Sequence, residues 1–356
     1  MEILRSRHGS GRRPDPFAHA LRRCLAAGLA LALGVLTGPA AAAVTQVTEV
    51  LPPPGSLLIP PLELSADGST IVGGFGPAFG APTHAFRWTA ATGAVDLQAG
   101  AEGSSFATGV SADGGIVAGR FASAANGSQA FRWTPGSVVL DNTPQRYGNS
   151  AATALSADGR IVAGTVPYSA SDGNTRIFLW SYPDSLAYVG EEIPGVGVSY
   201  APDELSADGS ALIGTISWPL GVRFFRWSLS EGYDTYAECT PGCSASPRHL
   251  SGDGRVAVVG FLHTAGGGAP VSSYNLVYRW TRNDGLQLIT RFPAGQPGAN
   301  ADVDRIEALS YDGSVMVGEG YRNGAQQAIR WTAAGGAQSV GDWFASHGGS
   351  APALPN

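Results

Sequence analysis

Lysine is absent from all 356 residues, so every basic side chain is an arginine. Charge of either sign is sparse, at 14% of residues, and the balance of 22 Arg against 28 acids leaves a net charge of −6. An acidic chain without lysine lacks the basic footprint that a phosphate backbone requires, and this excludes nucleic acid as an expected partner. Long apolar runs are scarce too. The exception is CLAAGLALALGVLTG at 24–38, which is too short to span a bilayer comfortably. It follows a polar, basic stretch with Arg5, Arg7, Arg12, Arg13, Arg22 and Arg23, and it precedes small residues that offer an Ala-x-Ala cleavage site near Ala43. That order is the three-part pattern of a secretory signal. Removing 1–43 takes away six Arg and two acids, leaving 16 against 26 and a net charge near −10. The mature chain is expected to be a soluble monomer, extracellular or periplasmic, with no membrane insertion.

Cysteine is limited to three, and Cys24 departs with the signal. Cys239 and Cys243 remain, in CTPGC. Thr-Pro-Gly is turn chemistry that brings the two sulfurs within reach, and export favours a disulfide closing this small loop. A redox dithiol usually has two intervening residues, and a metal site needs more ligands. Catalytic signatures are missing as well. The four histidines left after export, His84, His249, His263 and His347, show no ligand spacing, and no Gly-x-Ser-x-Gly elbow, Walker loop or dinucleotide fingerprint occurs. No cofactor and no metal are expected.

What the sequence has in quantity is glycine, 50 residues, and a phrase that returns. LSADGSTIVGG begins at Leu64, VSADGGIVAGR at Val110, LSADGRIVAGT at Leu155 and LSADGSALIGT at Leu205, with looser copies from Leu250 and Leu309. The aspartates are Asp67, Asp113, Asp158, Asp208, Asp253 and Asp312, spaced by 46, 45, 50, 45 and 59 residues. Each is followed 19 to 27 residues later by a tryptophan: Trp88, Trp133, Trp180, Trp227, Trp280 and Trp331. A period near 45 residues built of short strands points to propeller blades.

One unit holds four strands. Strand a precedes the motif (ATGVS, ATALS), and strand b is the β-branched run after it (TIVGG, RIVAG). Strand c is AFRWT, whose period of two sets Phe and Trp on one face and Ala and Arg on the other. A glycine turn leads to strand d. Ser-x-Asp-Gly therefore falls in the a–b turn, where Asp accepts backbone N–H bonds and Gly takes the positive φ. A turn needed in every blade explains the recurrence without a site in each, with the aspartates dispersed singly. A Gly six residues after the Asp ends strand b (Gly73, Gly119, Gly164, Gly214, Gly318), where backbones approach closely. In the fifth unit Gly260 stands at seven, which predicts one extra residue and a bulge. Arg87, Arg132, Arg226, Arg279 and Arg330 precede the Trp and are expected to cover Trp faces or pair with turn aspartates; Leu179 is the exception.

The expected fold is all-β, a six-bladed propeller of four-stranded antiparallel blades over 44–345 with a disordered tail at 346–356. A seven-bladed ring and an open solenoid are the alternatives. Surplus strand character at 44–50 predicts that the first mature strand completes the last blade's sheet and closes the ring.

The residues SADG…IVGG…HAFRWT resemble the HAF repeats of bacterial exported proteins, with the literal tripeptide at His84, Ala85 and Phe86. The resemblance covers 62–344. It implies an extracellular repeat protein and is almost silent about activity. Some members carry an autotransporter barrel or a C-terminal sorting segment. Here the chain ends at SAPALPN, so the expectation is a free soluble protein or a truncated version of a longer one.

In a propeller the a–b and c–d turns share one face and the b–c and d–a links the other. The b–c links vary most, and variation on a constant frame is where binding resides. They carry Phe79, Tyr168, Trp218, Tyr274 and Tyr321, aromatics suited to stacking on sugar or gripping a peptide. Leu62, Thr108, Thr153, Asp203, Arg248 and Glu307, five before each Asp, are placed to line a channel. The expected function is binding of a glycan or protein. The alternative is a polysaccharide hydrolase or lyase, for which the acid clusters Glu191–Glu192, Asp203–Glu204 and Asp302 with Asp304 supply carboxylates.

Overall fold

The computed structural model describes residues 49–347 apart from 78–81, 99–102, 124–126, 141–148, 169–173, 184, 191–196, 220, 240–242, 265–272, 292–301 and 323–324. Its strands form six four-stranded antiparallel sheets, each made of four consecutive strands, in a propeller-like arrangement. Module one comprises β1 (Leu57–Leu64), β2 (Thr70–Gly76), β3 (His84–Thr89) and β4 (Gly93–Asp96). Module two holds β5 (Ser104–Val110), β6 (Val117–Ser123), β7 (Gly127–Thr134) and β8 (Ser137–Leu140). Module three holds β9 (Ala151–Leu155), β10 (Ile161–Pro167), β11 (Thr175–Ser181) and β12 (Ser185–Val189). Module four holds β13 (Ser199–Leu205), β14 (Ala211–Trp218), β15 (Gly221–Ser228) and β16 (Gly232–Cys239). Module five holds β17 (Cys243–Leu250), β18 (Val256–Thr264), β19 (Ser273–Thr281) and β20 (Gly285–Leu288). Module six holds β21 (Arg305–Leu309), β22 (Val315–Arg322), β23 (Ala325–Thr332) and β24 (Gly336–Ser339), followed by α1 (Val340–Ser346).

The four-strand unit is as read from the sequence. Among the described residues the last sheet is β21–β24, and Glu49 and Val50 are outside any strand; 44–48, the rest of the strand expected to complete that sheet, lie outside the described residues.

Strand c explains why the modules stack. Its Phe face meets the opposite face of strand c in the module before it: Ala85 packs with Phe131, Ala130 with Phe178, and Ile177 with Phe225. Phe86, Phe178 and Phe225 are fully buried. Burying each such ring stabilises the stack by about 1.5–3 kcal/mol. Trp180, Trp280 and Trp331 are buried beside them, and Trp88, Trp133 and Trp227 are half-buried.

The a–b turn is built identically in every copy. In module two the Ser111 hydroxyl donates to Asp113 Oδ1 (2.6 Å) and accepts the Ile116 N–H (2.9 Å), while Asp113 Oδ1 accepts the Gly115 N–H (2.9 Å). The turn glycines hold φ between 66° and 73°. A side chain is also excluded by the neighbour: a Cβ on Gly159 meets Ile116 Cδ1 at 2.3 Å. The turns are not independent, however. Asp67 N–H donates to Ala112 O, Ala112 N–H to Ala157 O, Ala157 N–H to Ala207 O, Ala207 N–H to Gly252 O, and Asp253 N–H to Tyr311 O, at 2.8–3.1 Å. The strand c arginines reinforce the same junctions. Nε of Arg87, Arg132 and Arg226 donates to the carbonyl of Gly114, Gly159 and Gly254 in the next module. This corrects the expectation of an Asp partner: a carbonyl at the turn lies in line with the guanidinium, and each Asp is occupied within its own turn. Stacking on an aromatic occurs as a second contact, Arg132 on Tyr182 at 4.3 Å and Arg226 on Trp280 at 5.6 Å.

Strand b confirms the close-approach glycine. A Cβ on Gly164 meets Ala151 O at 2.1 Å and the Phe178 ring at 2.6 Å, and Gly119, Gly214 and Gly318 are equally confined. The bulge predicted for module five alone occurs between strands a and b of every module. In module five Val259 pairs with Pro247, as Gly164 pairs with Ala152, so no residue is inserted and Val259 fills the glycine position.

The sixth module ends the series differently. Ala85, Ala130, Ile177, Phe224 and Val277 on the c strands are buried by the module that follows, whereas Ala328 is exposed. Gly68 has nothing within 4 Å where Gly159 and Gly313 rest on a preceding turn. Arg330 meets the Trp343 ring of α1 at 5.5 Å in place of a next turn. The helix, unforeseen in the sequence reading, starts on Ser339, whose hydroxyl accepts the Asp342 N–H (2.9 Å). An open solenoid is ruled out by the axis: one cavity of about 100 Å3 is lined by Glu63, Thr108, Thr153, Asp203 and Leu250, from strands a of modules one to five. Replacing Gly164 with Ala is expected to destabilise the protein by about 1–3 kcal/mol through overpacking against Phe178, measured by urea unfolding.

Candidate functional site

The turn face carries the larger opening. A groove of about 810 Å3 crosses modules four to six, within the range of about 300–1,000 Å3 usual for ligand pockets. Its floor comes from the a–b turns, with Asp208, Asp253 and Asp312, and its walls from the c–d turns of modules four and five. Thus three of the repeat aspartates share one groove rather than standing singly.

Four arginines enter it: Arg226, Arg255, Arg279 and Arg282. Glu231 is clamped between two of them, with Arg226 Nη1 at 2.9 Å and Arg282 Nη1 at 2.6 Å. The hydrogen bond from Arg226, ahead of the charge of either arginine, holds the Glu231 carboxyl below its ordinary range. Asp234 stands 3.4 Å from Arg226 and 3.7 Å from Arg282. Arg279 Nη1 lies 3.7 Å from Asp284, which accepts the Thr281 hydroxyl at 2.8 Å. The Arg282 side chain is 51% exposed, and Arg255 is exposed beside it. Ser210, Ser230, Thr281 and Asn283 complete a lining that both donates and accepts.

The sequence reading placed binding on the opposite rim. The tips of the b–c links lie outside the described residues, Phe79 with them. Tyr274 pairs with His263 between β18 and β19, and its side chain is outside the described residues. Tyr168 is corrected from rim to core: it is 9% exposed and packs with Val189, Val198 and Tyr200, because the chain continues the strand direction one residue beyond β10. Trp218 remains half-buried at the β14–β15 turn, with the Arg223 guanidinium 4.6 Å above its ring. Tyr321 is half-buried opposite Gln326. Of the residues expected at the channel, Thr108, Thr153 and Asp203 line the axial cavity; Glu63 takes the place expected of Leu62. Glu307 instead pairs with Arg305, and the Arg248 side chain is outside the described residues. Cys239 and Cys243 end β16 and begin β17, with side chains outside the described residues.

The groove has a sequence signature that lies outside the repeated phrase. The c–d turns of modules one and six read TAATG and TAAGG, but those of four and five read SLSEG and TRNDG. The turns of modules two and three, TPG and SYPDS, differ as well, but only SLSEG and TRNDG line the groove.

No protein-family model matches this chain, and no curated protein does. Among solved structures it is similar to a prolyl endopeptidase, with TM-score 0.55 and 10% identity over 80% of this chain and 42% of that one. This chain therefore spans less than half of that protein's length. It is also similar to an oligogalacturonate lyase in complex with manganese, with TM-score 0.50 and 16% identity over 78% of this chain and 75% of that one. A TolB from Agrobacterium tumefaciens aligns over 64% of this chain and 78% of its own, at TM-score 0.44 and 15% identity. At these identities the likeness is one of fold. Among the described residues, no helix is long and apolar enough to cross a membrane.

The turn carboxylates make stability depend on acid. Asp113 and Asp312 are held below the ordinary carboxylate range, first by the Ser111 and Ser310 hydroxyls and then by the following N–H groups. For Asp67 and Asp208 burial opposes the shift, and the hydrogen bonds from Ser65 and Ser206 with those of Ser69 and Ser210 outweigh it. A depressed folded value gives stabilisation that is present above the unfolded value, about 3.9, and lost as pH falls through the folded one. Thermal melts followed by circular dichroism are expected to show the midpoint falling below about pH 4. Asp113→Asn with Asp312→Asn should lower the midpoint at neutral pH and flatten that acid decline.

Proposed function

We propose that the protein is an exported HAF-repeat propeller that binds glycans in the groove over modules four to six. The observation that carries this reading is the groove itself, where guanidinium donors and carboxylate acceptors alternate with hydroxyl and amide groups. A sugar presents hydroxyls that donate and accept at once, so it matches a lining of mixed polarity better than an apolar peptide does. Each turn aspartate spends Oδ1 on its own turn, and Arg255 stands exposed, so hydrogen-bonding capacity faces the opening. The leading segment at 1–43 supports export.

A protein partner at the opposite rim is the second reading, favoured by Trp218 under Arg223. Tryptophan and arginine are enriched where binding energy concentrates. The hydrolase or lyase alternative asks for two carboxylates across a sugar. Of the acid clusters, Asp203 and Glu204 face the axial cavity of about 100 Å3, and Asp302 Oδ1 accepts the Arg291 N–H. Glu191 and Glu192 lie outside the described residues.

The test is a glycan array and a protein array probed with purified residues 44–356. Glycan capture is expected, and Arg255→Ala with Arg282→Ala should weaken it about tenfold or more at an unchanged thermal midpoint. Trp218→Ala should leave it intact. Silence on the glycan array overturns the groove reading, and so does a loss of capture that follows Trp218 alone.

A further inference from the structure

The buried histidine His249 has no part in the groove. It lies on β17 at 4% exposure, where modules four, five and six meet near the axis. Nε2 is 3.1 Å from the Ile306 carbonyl of module six. Nδ1 is 3.4 Å from Glu204 Oε2 of module four, and that same oxygen accepts the Leu250 N–H of module five at 2.9 Å.

A carbonyl oxygen only accepts, so Nε2 must carry a proton. In the neutral ring that leaves an unprotonated Nδ1 3.4 Å from a carboxylate oxygen, two electron-rich groups close together inside the fold. A second proton on Nδ1 replaces this repulsion with an ion pair. We infer that His249 is doubly protonated in the folded chain and bolts modules four, five and six together, as a pH-sensitive junction that loosens on the alkaline side.

The surrounding charges agree with this assignment. Among the described side chains of the strands packed on β17, β13 brings Asp203 and Glu204, both acidic. β14 brings no charged residue. Arg223 and Arg226 of β15 are directed to Trp218 and to Gly254 with Glu231, and Asp234 of β16 faces Arg226 and Arg282. Arg305 and Glu307 of β21 pair with each other, Arg305 also with Glu319. Glu63 of β1 faces the same axial cavity as Asp203 and Glu204. Among the described side chains the cations are thus directed elsewhere and Glu204 is the charge at the ring; the side chains of Arg248 on β17 and His263 on β18 lie outside the described residues.

The sign follows from linkage. A folded chain that holds this proton more tightly than the unfolded chain gains stability that is complete below about pH 6.5, the ordinary imidazole value. That stability is lost as pH rises through the folded value. This window lies well above the one in which the turn carboxylates act.

The decisive measurement is imidazole nitrogen NMR on 15N-labelled protein, residues 44–356, with His249 identified by backbone assignment. Both ring nitrogens are expected to be protonated at pH 7 and to release one proton above the ordinary imidazole range. A ring that is neutral at pH 7 overturns the inference. In thermal melts the midpoint should fall as pH rises from 7 to 9, and Glu204→Gln should return the ring's titration to the ordinary range. His249→Asn should abolish the alkaline fall; an unchanged fall in a folded His249→Asn protein also overturns it. Should that variant fail to fold, the wild-type spectrum alone decides.

Discussion

The architecture depends on one hydrogen bond repeated from module to module, in which a turn N–H donates to the carbonyl that precedes the next turn's aspartate. The turn leaves that donor free by using its others internally. In module two, Ser111 N–H goes to Ile116 O and Gly114 N–H to Ser111 O, while Gly115 and Ile116 are taken by Asp113 and the Ser111 hydroxyl. Ser and Asp thus shape the turn so that its remaining backbone group faces the neighbour. Each such bond contributes about 0.5–1.5 kcal/mol net, and its larger effect is geometric. It fixes where the next sheet begins, which sets the Phe face of one blade against the opposite strand c face of the other.

Backbone atoms make this contact, so the residue before the aspartate varies, within the space its neighbour leaves: a Cβ on Gly252 would meet the Tyr311 ring at 2.3 Å. The accepting carbonyls belong to Ala112, Ala157, Ala207, Gly252 and Tyr311, a range from nothing to an aromatic ring. The same logic explains the strand c arginines. Arg87, Arg132 and Arg226 address the turn glycine's carbonyl, a group present whatever the sequence. Leu179 takes this position in module three and packs into the cluster between modules three and four instead. Where no further turn follows, α1 supplies Trp343 as the surface on which Arg330 rests.

Strand count, strand order, the turn and the face alternation of strand c were legible because each has a local signature: β-branched runs, period two, and Asp-Gly. The destination of an arginine was not, since nothing in AFRWT says whether its partner is an aspartate or a carbonyl one blade away. Gly260 misled for a related reason. Counting from Asp253 treats glycine as the marker, whereas the bulge position is set by the pairing of Pro247 with Val259. Tyr168 sits in a link by sequence and in the core by structure, because the chain there still follows strand direction for one residue beyond β10. Charged c–d turns were visible all along, but only the topology shows that SLSEG and TRNDG stand side by side over the a–b turns.

That adjacency follows from the division of work between the turn types. The a–b turns are spent on holding modules together, and their sequence is therefore nearly fixed. The c–d turns share the face and, among the described residues, make none of the backbone hydrogen bonds that join one module's turn to the next, so they are free to differ. Individual chemistry accumulates beside the constant ring rather than within it. Arg226 joins the two sets: Nε holds the Gly254 carbonyl, and Nη1 holds Glu231 in the c–d turn. A scaffold residue thereby orients the variable wall, and the groove inherits the rigidity of the junction beneath it.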